Sequence, residues 1–277
     1  MTWIQNLTKN FHNLIVIKQM KNKNLIALTN YRNLALIDHE NGKILEEYSI
    51  LVIDNYDFEI GQNDELIISA GINLIQTFDP FQKSFRNFHP NCSTTYRIKS
   101  INESHLALIC LNLNMNQTFV LFNKLNDKNV AILNMTNRVD EIEIIFNNKL
   151  ILFGHMYTNH ATIFNLETFE LIDLRLSDIY YKMKKIDEIH FVTINWINTT
   201  IYRLNNPKVE EIVSVENLNP KCLTIDEKSG AILTGNSDMT LNIWSNYLTS
   251  QPTFQTFNLS YLNSFPIHIF ARGKLLI

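Results

Sequence analysis

A short apolar segment recurs seven times along this 277-residue chain. NLIALT begins at Asn24, ELIISA at Glu65, HLALIC at His105, KLILFG at Lys149, IHFVTI at Ile189, GAILTG at Gly230 and KLLI at Lys274, so successive starts lie 41, 40, 44, 40, 41 and 44 residues apart. A fixed period of about 40 to 45 residues means one supersecondary unit repeated in space, none of which buries its apolar surface alone. After each of the first six segments come a polar turn, a second aromatic or aliphatic run and then a third, as in LIQTFDPFQKSFRNF (74–88) and TIFNLETFELIDLRL (162–176). Lead-ins such as YRIKSI and EIEIIF precede them. Runs of four to seven residues rich in Ile, Val, Phe, Tyr and Thr and punctuated by Asn, Asp and Pro read as strands, whereas helical repeats need stretches of roughly ten or more at a 3.6-residue period. Four short antiparallel strands per repeat make a β-propeller blade, and an all-β fold is predicted.

The segment LTGNSDMTLNIWS (233–245) resembles a repeat end of the WD-repeat family. Thr234 matches the Ser/Thr of the second strand, Asp238 the tight-turn aspartate and Trp244 the tryptophan of the third strand. In that family these residues join a His in a buried hydrogen-bonded set; no Gly-His dipeptide precedes the repeat here. The equivalent pairs elsewhere are Ile37 and Asp38, Phe78 and Asp79, Phe122 and Asn123, Phe164 and Asn165, and Tyr202 and Arg203, so the large apolar residue persists more often than the acid. That is the expected order of importance: the ring packs between blades, while the acid adds a hydrogen bond that other turn chemistry can replace. The resemblance implies a single WD-repeat-like β-propeller domain over 1–277, seven-bladed with an incomplete last blade. Its blades are expected at 13–50, 52–89, 95–136, 139–177, 179–215, 219–258 and 264–277, with an N-terminal strand over 2–8 returning to the last.

Composition bounds what such a scaffold does. With 45% hydrophobic and 18% charged residues and a net charge of −3, the chain has ample core and no global attraction for nucleic acid or an anionic membrane. Only 7 residues are Gly, where average usage gives roughly 19. Asn, about one residue in eight, is expected to make the turns instead, because it tolerates positive φ and bonds its own backbone. Neither GxGxxG nor GxxxxGK[ST] occurs. Cys92, Cys110 and Cys222 are odd in number and far apart, without CxxC spacing, and read as reduced thiols. No run approaches the roughly 18 apolar residues of a membrane span. The expected location is the cytoplasm, or the nucleus.

Chemistry-bearing clusters are sparse. His155 and His160 flank a predicted turn without a third ligand, so no metal is expected. Asp54, Asp57 and Glu59 lie in a segment entering a blade, without companion acid or arginine groups, and read as a solvated loop. YYKMKK (180–185) mixes aromatic and basic groups and gives the alternative of a phosphoinositide- or nucleic-acid-binding surface. The turns joining second and third strands share one propeller face with the connections between blades. There the sequence offers Tyr31, Arg32, Tyr157, His160 and Trp196, residue types prominent among interface hot spots, as partner-binding candidates. The expected function is therefore non-catalytic and without cofactors: a scaffold or adaptor holding other proteins or peptides of a multisubunit complex. The alternative is an open propeller of the coat or nuclear-pore type, completed by a partner strand.

Overall fold

The computed structural model describes residues 14–20, 24–29, 33–38, 43–49, 58–61, 63–70, 72–112, 114, 116–155, 157–205, 208–216, 219–226, 229–238, 240–246, 253–258, 268–270 and 274–276. Two compact units divide the chain, Met1–Arg138 and Val139–Ile277. The first holds three four-stranded antiparallel sheets, each a meander in chain order. Sheet 1 comprises β1 (Leu14–Gln19), β2 (Asn24–Thr29), β3 (Asn33–Asp38) and β4 (Ile44–Ser49). Sheet 2 comprises β5 (Phe58–Ile60), β6 (Leu66–Ser69), β7 (Ile75–Asp79) and β8 (Ser84–Phe88). Sheet 3 comprises β9 (Thr94–Ser100), β10 (His105–Leu111), β11 (Gln117–Asn123) and β12 (Lys128–Asn134).

The second unit repeats the plan. Sheet 4 is built from β13 (Glu141–Ile145), β14 (Leu150–Gly154), β15 (Thr158–Asn165) and β16 (Leu171–Tyr180), and sheet 5 from β17 (Lys182–Lys185), β18 (His190–Ile194), β19 (Asn198–Asn205) and β20 (Lys208–Glu216). Sheet 6 is β21 (Pro220–Ile225), β22 (Ile232–Asn236), β23 (Thr240–Ser245) and β24 (Thr253–Asn258). A two-stranded sheet, β25 (His268–Phe270) and β26 (Lys274–Leu276), follows and packs against β21 and β22. Six such sheets are consistent with a β-propeller of about six blades.

Burial along the strands shows why the repeat reads as it does. Second strands are the most enclosed: every residue of β6, β14 and β18 is buried, the polar Ser69, His190 and Thr193 among them. Fourth strands alternate, as a strand with one solvated face must, and β12 runs exposed and half-buried in strict turn. At the end of each third strand sits the large apolar residue of the repeat. Ile37, Phe78, Phe122, Phe164, Tyr202 and Trp244 are all at most 1% exposed. Each stands opposite an apolar residue of the second strand, for instance Leu66 opposite Phe78 and Ile232 opposite Trp244. Trp244 packs in one cluster with Val192, Ile194 and Ile201 of sheet 5 and Leu223 and Ile232 of its own sheet, so it seals two sheets together.

Turns carry the asparagine. The side-chain oxygen of Asn123 accepts the Leu125 N–H (2.8 Å), that of Asn165 the N–H of Glu167 (2.8 Å), and that of Asp79 the N–H groups of Phe81 and Gln82 (2.8 and 3.0 Å). Asn thus performs the service that Asp performs one repeat away, an Asx turn closing the hairpin after the ring. Asp238 caps its own turn through Thr240 N–H (3.0 Å). Of twelve described non-glycine residues at positive φ, eight are Asn or Asp. Gly61 is needed for space: a Cβ there would lie 2.6 Å from Cγ of Glu65, whose side chain folds across it.

The reading of three reduced thiols is corrected. Cys92 and Cys110 form a disulfide, with Cα atoms 5.6 Å apart, and only the buried Cys222 stays outside it. Their separation of 18 residues says nothing about distance once β9 and β10 pair, because Thr95 stands directly opposite Cys110 and Cys92 precedes it by one turn of chain. The thiol argument for a reducing compartment falls with this pairing.

Replacing Trp244 by Ala is expected to cost about 3 to 5 kcal/mol, the range for deleting a buried large aromatic. Denaturant unfolding of the variant measures it; an unchanged midpoint would mean that the ring does not join the sheets.

Candidate functional site

Three aromatic side chains of the second unit come together from three separate connections. Chain direction puts them at one end: in a four-stranded meander the turn from second to third strand and the connection to the next sheet share an edge. The β14–β15 turn supplies Tyr157, the β18–β19 turn Trp196, and the connection from β16 to β17 Tyr181. Trp196 stacks on Tyr157 with ring centroids 5.8 Å apart and planes 15° from parallel, and meets the tilted ring of Tyr181 at 5.6 Å. Such ring pairs contribute about 0.5 to 1.5 kcal/mol beyond their area. Tyr181 is buried, whereas Tyr157 and Trp196 remain 61% and 51% exposed. The result is a ledge whose inner ring belongs to the core and whose outer rings face solvent.

Polar groups hold this ledge in place. The Tyr180 hydroxyl accepts the His155 N–H and donates to the His160 carbonyl, both at 2.8 Å, while the Tyr157 N–H donates to the Tyr180 carbonyl at 2.7 Å. Thr158 Oγ1 donates to the His155 carbonyl at 2.8 Å. Sewn down on both sides, the turn places Tyr157 at φ 62°, in the left-handed region that a bulky residue rarely occupies. Opposite it, the Asn195 side-chain oxygen accepts the N–H groups of Ile197 and Asn198 (2.7 and 2.6 Å), and its amide donates to Asp178. Trp196 and the 59%-exposed Ile197 are thereby fixed at the apex.

The ionisable groups beneath are tuned toward neutrality. Burial, with smaller effects from Cys222 and Tyr157, pushes the Tyr181 hydroxyl up to about 12, and that hydroxyl has no hydrogen-bond partner among the described residues. Burial also raises the Cys222 thiol, which sits against the Gly235 carbonyl at 3.8 Å, so it is not held as a nucleophilic thiolate. Both groups therefore keep their protons at neutral pH.

Of the residues singled out in the sequence, Tyr157 and Trp196 are brought together. His160 is not part of the stack: its Nδ1 lies 3.2 Å from Asp173 Oδ2 on β16. Tyr31 and Arg32 lie outside the described residues, as do Asp54 and Asp57, while Glu59 is half-buried on β5. His155 is buried, with Nε2 2.7 Å from Thr162 Oγ1, so the two histidines serve different partners. The YYKMKK stretch runs from the last residue of β16 through β17. Both tyrosines are buried, Lys184 reaches Glu143 (3.2 Å) and Lys185 pairs with Glu188. Tyr181 is the ledge residue that the sequence reading assigned elsewhere; its place in the connection between repeats, at the same end as the Tyr157 and Trp196 turns, was the available signal.

Tyr180, Tyr181 and Tyr202 are all raised, chiefly by burial. A phenol that holds its proton more tightly folded than unfolded contributes stability that is intact below pH 10 and is lost as pH climbs through 10 toward 12 and beyond. Unfolding followed against pH should show a steep alkaline decline in that window, and Tyr181→Phe should reduce it; a flat profile from pH 9 to 12 would contradict the burial of these hydroxyls.

No protein-family model and no curated protein matches this sequence. Among solved structures the chain is similar to a functionally unknown protein from Desulfotomaculum acetoxidans DSM 771, with a TM-score of 0.70 over 84% of this chain and 79% of that one. Identity across the match is 13%, so the likeness is one of fold.

Proposed function

We propose that this chain is a non-catalytic scaffold: a WD-repeat-like β-propeller, seven-bladed with its last blade incomplete, that holds protein or peptide partners of a multisubunit complex. The observation that carries the proposal is the ledge of Tyr157, Trp196 and Tyr181. Two large rings exposed by more than half and braced from below by a third offer a rigid anchor of low conformational entropy, the kind of surface on which interface energy concentrates. Supporting the WD-type reading, Trp244 and Thr234 are fully buried in sheet 6 while Asp238 closes the turn between β22 and β23.

The test is affinity capture with the Tyr157→Ala/Trp196→Ala double variant. Hot-spot truncations commonly cost about 2 kcal/mol or more of binding. Partners captured by the natural chain should therefore be lost while the melting temperature holds, since both rings are largely exposed. Undiminished capture would remove the ledge from the interface.

A second reading rests on the hairpin β25–β26. It lies against β21 and β22 and, among the described residues, has two strands where each of the six preceding sheets has four; the N-terminal strand expected over 2–8 lies outside the described residues. A two-stranded sheet exposes backbone donors and acceptors along its edge, and a partner can complete it by strand addition. Under this reading the amides of Lys274–Leu276 exchange rapidly in the isolated chain and become protected in the complex; protection unchanged by a bound partner would exclude it.

A further inference from the structure

In the first unit an open cavity of about 290 Å3 lies between sheets 2 and 3, at the end where first strands turn into second strands. That volume lies just below the range of ligand pockets, roughly 300 to 1,000 Å3, and has room for one small molecule. Its wall includes an ion pair that bridges the two sheets. Lys124, from the β11–β12 turn, has a side chain only 6% exposed and reaches Glu65, which precedes β6. The Lys124 N–H donates to the Ser104 carbonyl at 2.7 Å, and Gly61 leaves the room that Glu65 needs. A charge pair this buried costs desolvation that an apolar pair would avoid, so it is a built feature rather than a solvated accident.

Once that pair is formed, the remaining charges can be accounted for. Asp79 is committed to the two turn N–H groups described above. Arg86 of β8 and Glu103 of the β9–β10 turn both line the cavity, and neither side chain has an ion-pair or hydrogen-bond partner among the described residues. On β8, Ser84, Arg86 and Phe88 share one face by the two-residue period, and Thr77 stands directly opposite Arg86. One wall therefore offers a guanidinium flanked by two hydroxyls, a donor set matched to a carboxylate. The turn of the neighbouring sheet offers a single carboxylate. Phe88 and Leu125 add apolar surface. A simple anion would meet Glu103 as a like charge, and a simple cation would meet Arg86, since both line the same cavity.

We infer that this cavity binds a small zwitterion of the free α-amino-acid type, its carboxylate on Arg86, its ammonium on Glu103 and an apolar side chain against Phe88 and Leu125. The inference is independent of the ledge, which lies in the other unit. Calorimetric titration of the full chain with L-leucine as probe tests it. Affinities of about millimolar or tighter are expected for a ligand of this size. Leucinamide lacks the carboxylate and 4-methylpentanoate lacks the ammonium, and each should bind about tenfold more weakly or worse, as should L-leucine to Arg86→Gln and Glu103→Gln. Both substitutions are at exposed positions, so unchanged melting temperatures should accompany the loss. Trp196→Ala should leave L-leucine binding intact. No heat of binding with L-leucine, equal binding of either analogue, or full binding by both variants would overturn the assignment.

Discussion

Within each unit the sheets depend on one packing contact, a large apolar side chain of the third strand wedged against the adjacent sheet. A four-stranded meander has two faces and can bury neither by itself. Phe78, Phe122, Tyr202 and Trp244 solve this by joining their sheets to a neighbour, and burying such a side chain contributes roughly 2 to 3 kcal/mol each. The burial of the second strands follows from the same constraint, and the polar side chains they carry are bonded internally, as Ser69 Oγ is to the Thr95 carbonyl at 2.8 Å. The alternating fourth strands follow from its relaxation at the outer edge.

A second constraint is the shortage of glycine. Tight hairpins need residues that tolerate the left-handed region or bond their own backbone, and a chain with 7 glycines must find them elsewhere. Asn supplies both. Asn73 combines them: it sits at φ 51°, donates its N–H to the Cys92 carbonyl at 2.8 Å and accepts the Cys92 N–H through its side chain at 3.1 Å. The connection into sheet 3 is thereby tied to a turn of sheet 2, and the Cys92–Cys110 disulfide ties the same connection to β10.

What was legible in the sequence and what was not divides along physical lines. The period, the ring positions and the turn chemistry are local or strictly repeated, and a sequence displays them directly. Trp244 and Asp238 could be placed from thirteen consecutive residues. The disulfide could not, because Cys92 and Cys110 meet only through an antiparallel register that spacing does not encode. Tyr181 was hidden for a similar reason: beside Tyr180 and three lysines it resembles a basic patch, and only the return of the chain past the β14–β15 and β18–β19 turns shows it as the brace of an aromatic ledge. His160, near Tyr157 in sequence, instead meets Asp173 on the outer strand. Arg86 and Glu103 carry no local signal at all, being separated by a whole strand and brought together by two sheets.

Tyr157 separates structure from function most sharply. The four positive-φ positions that are neither Asn nor Asp are Lys83, Phe146, Tyr157 and Phe169. A left-handed conformation at a residue with a full side chain costs about 1 to 2 kcal/mol, so each of the four needs a compensating contact. Phe146 packs against the core of sheets 4 and 5, Phe169 stands edge-on to the buried Phe164 at 6.0 Å, and Lys83 pairs with Glu46 at 2.8 Å. Tyr157 alone directs its ring onto a side chain that is itself half exposed, so its contact returns little burial for the strain it relieves. An Asn there would close the same turn without that cost, as Asn does at six other left-handed positions of this chain. Strain held where the local rule is broken and the core gains little agrees with the partner-binding role proposed for the ledge.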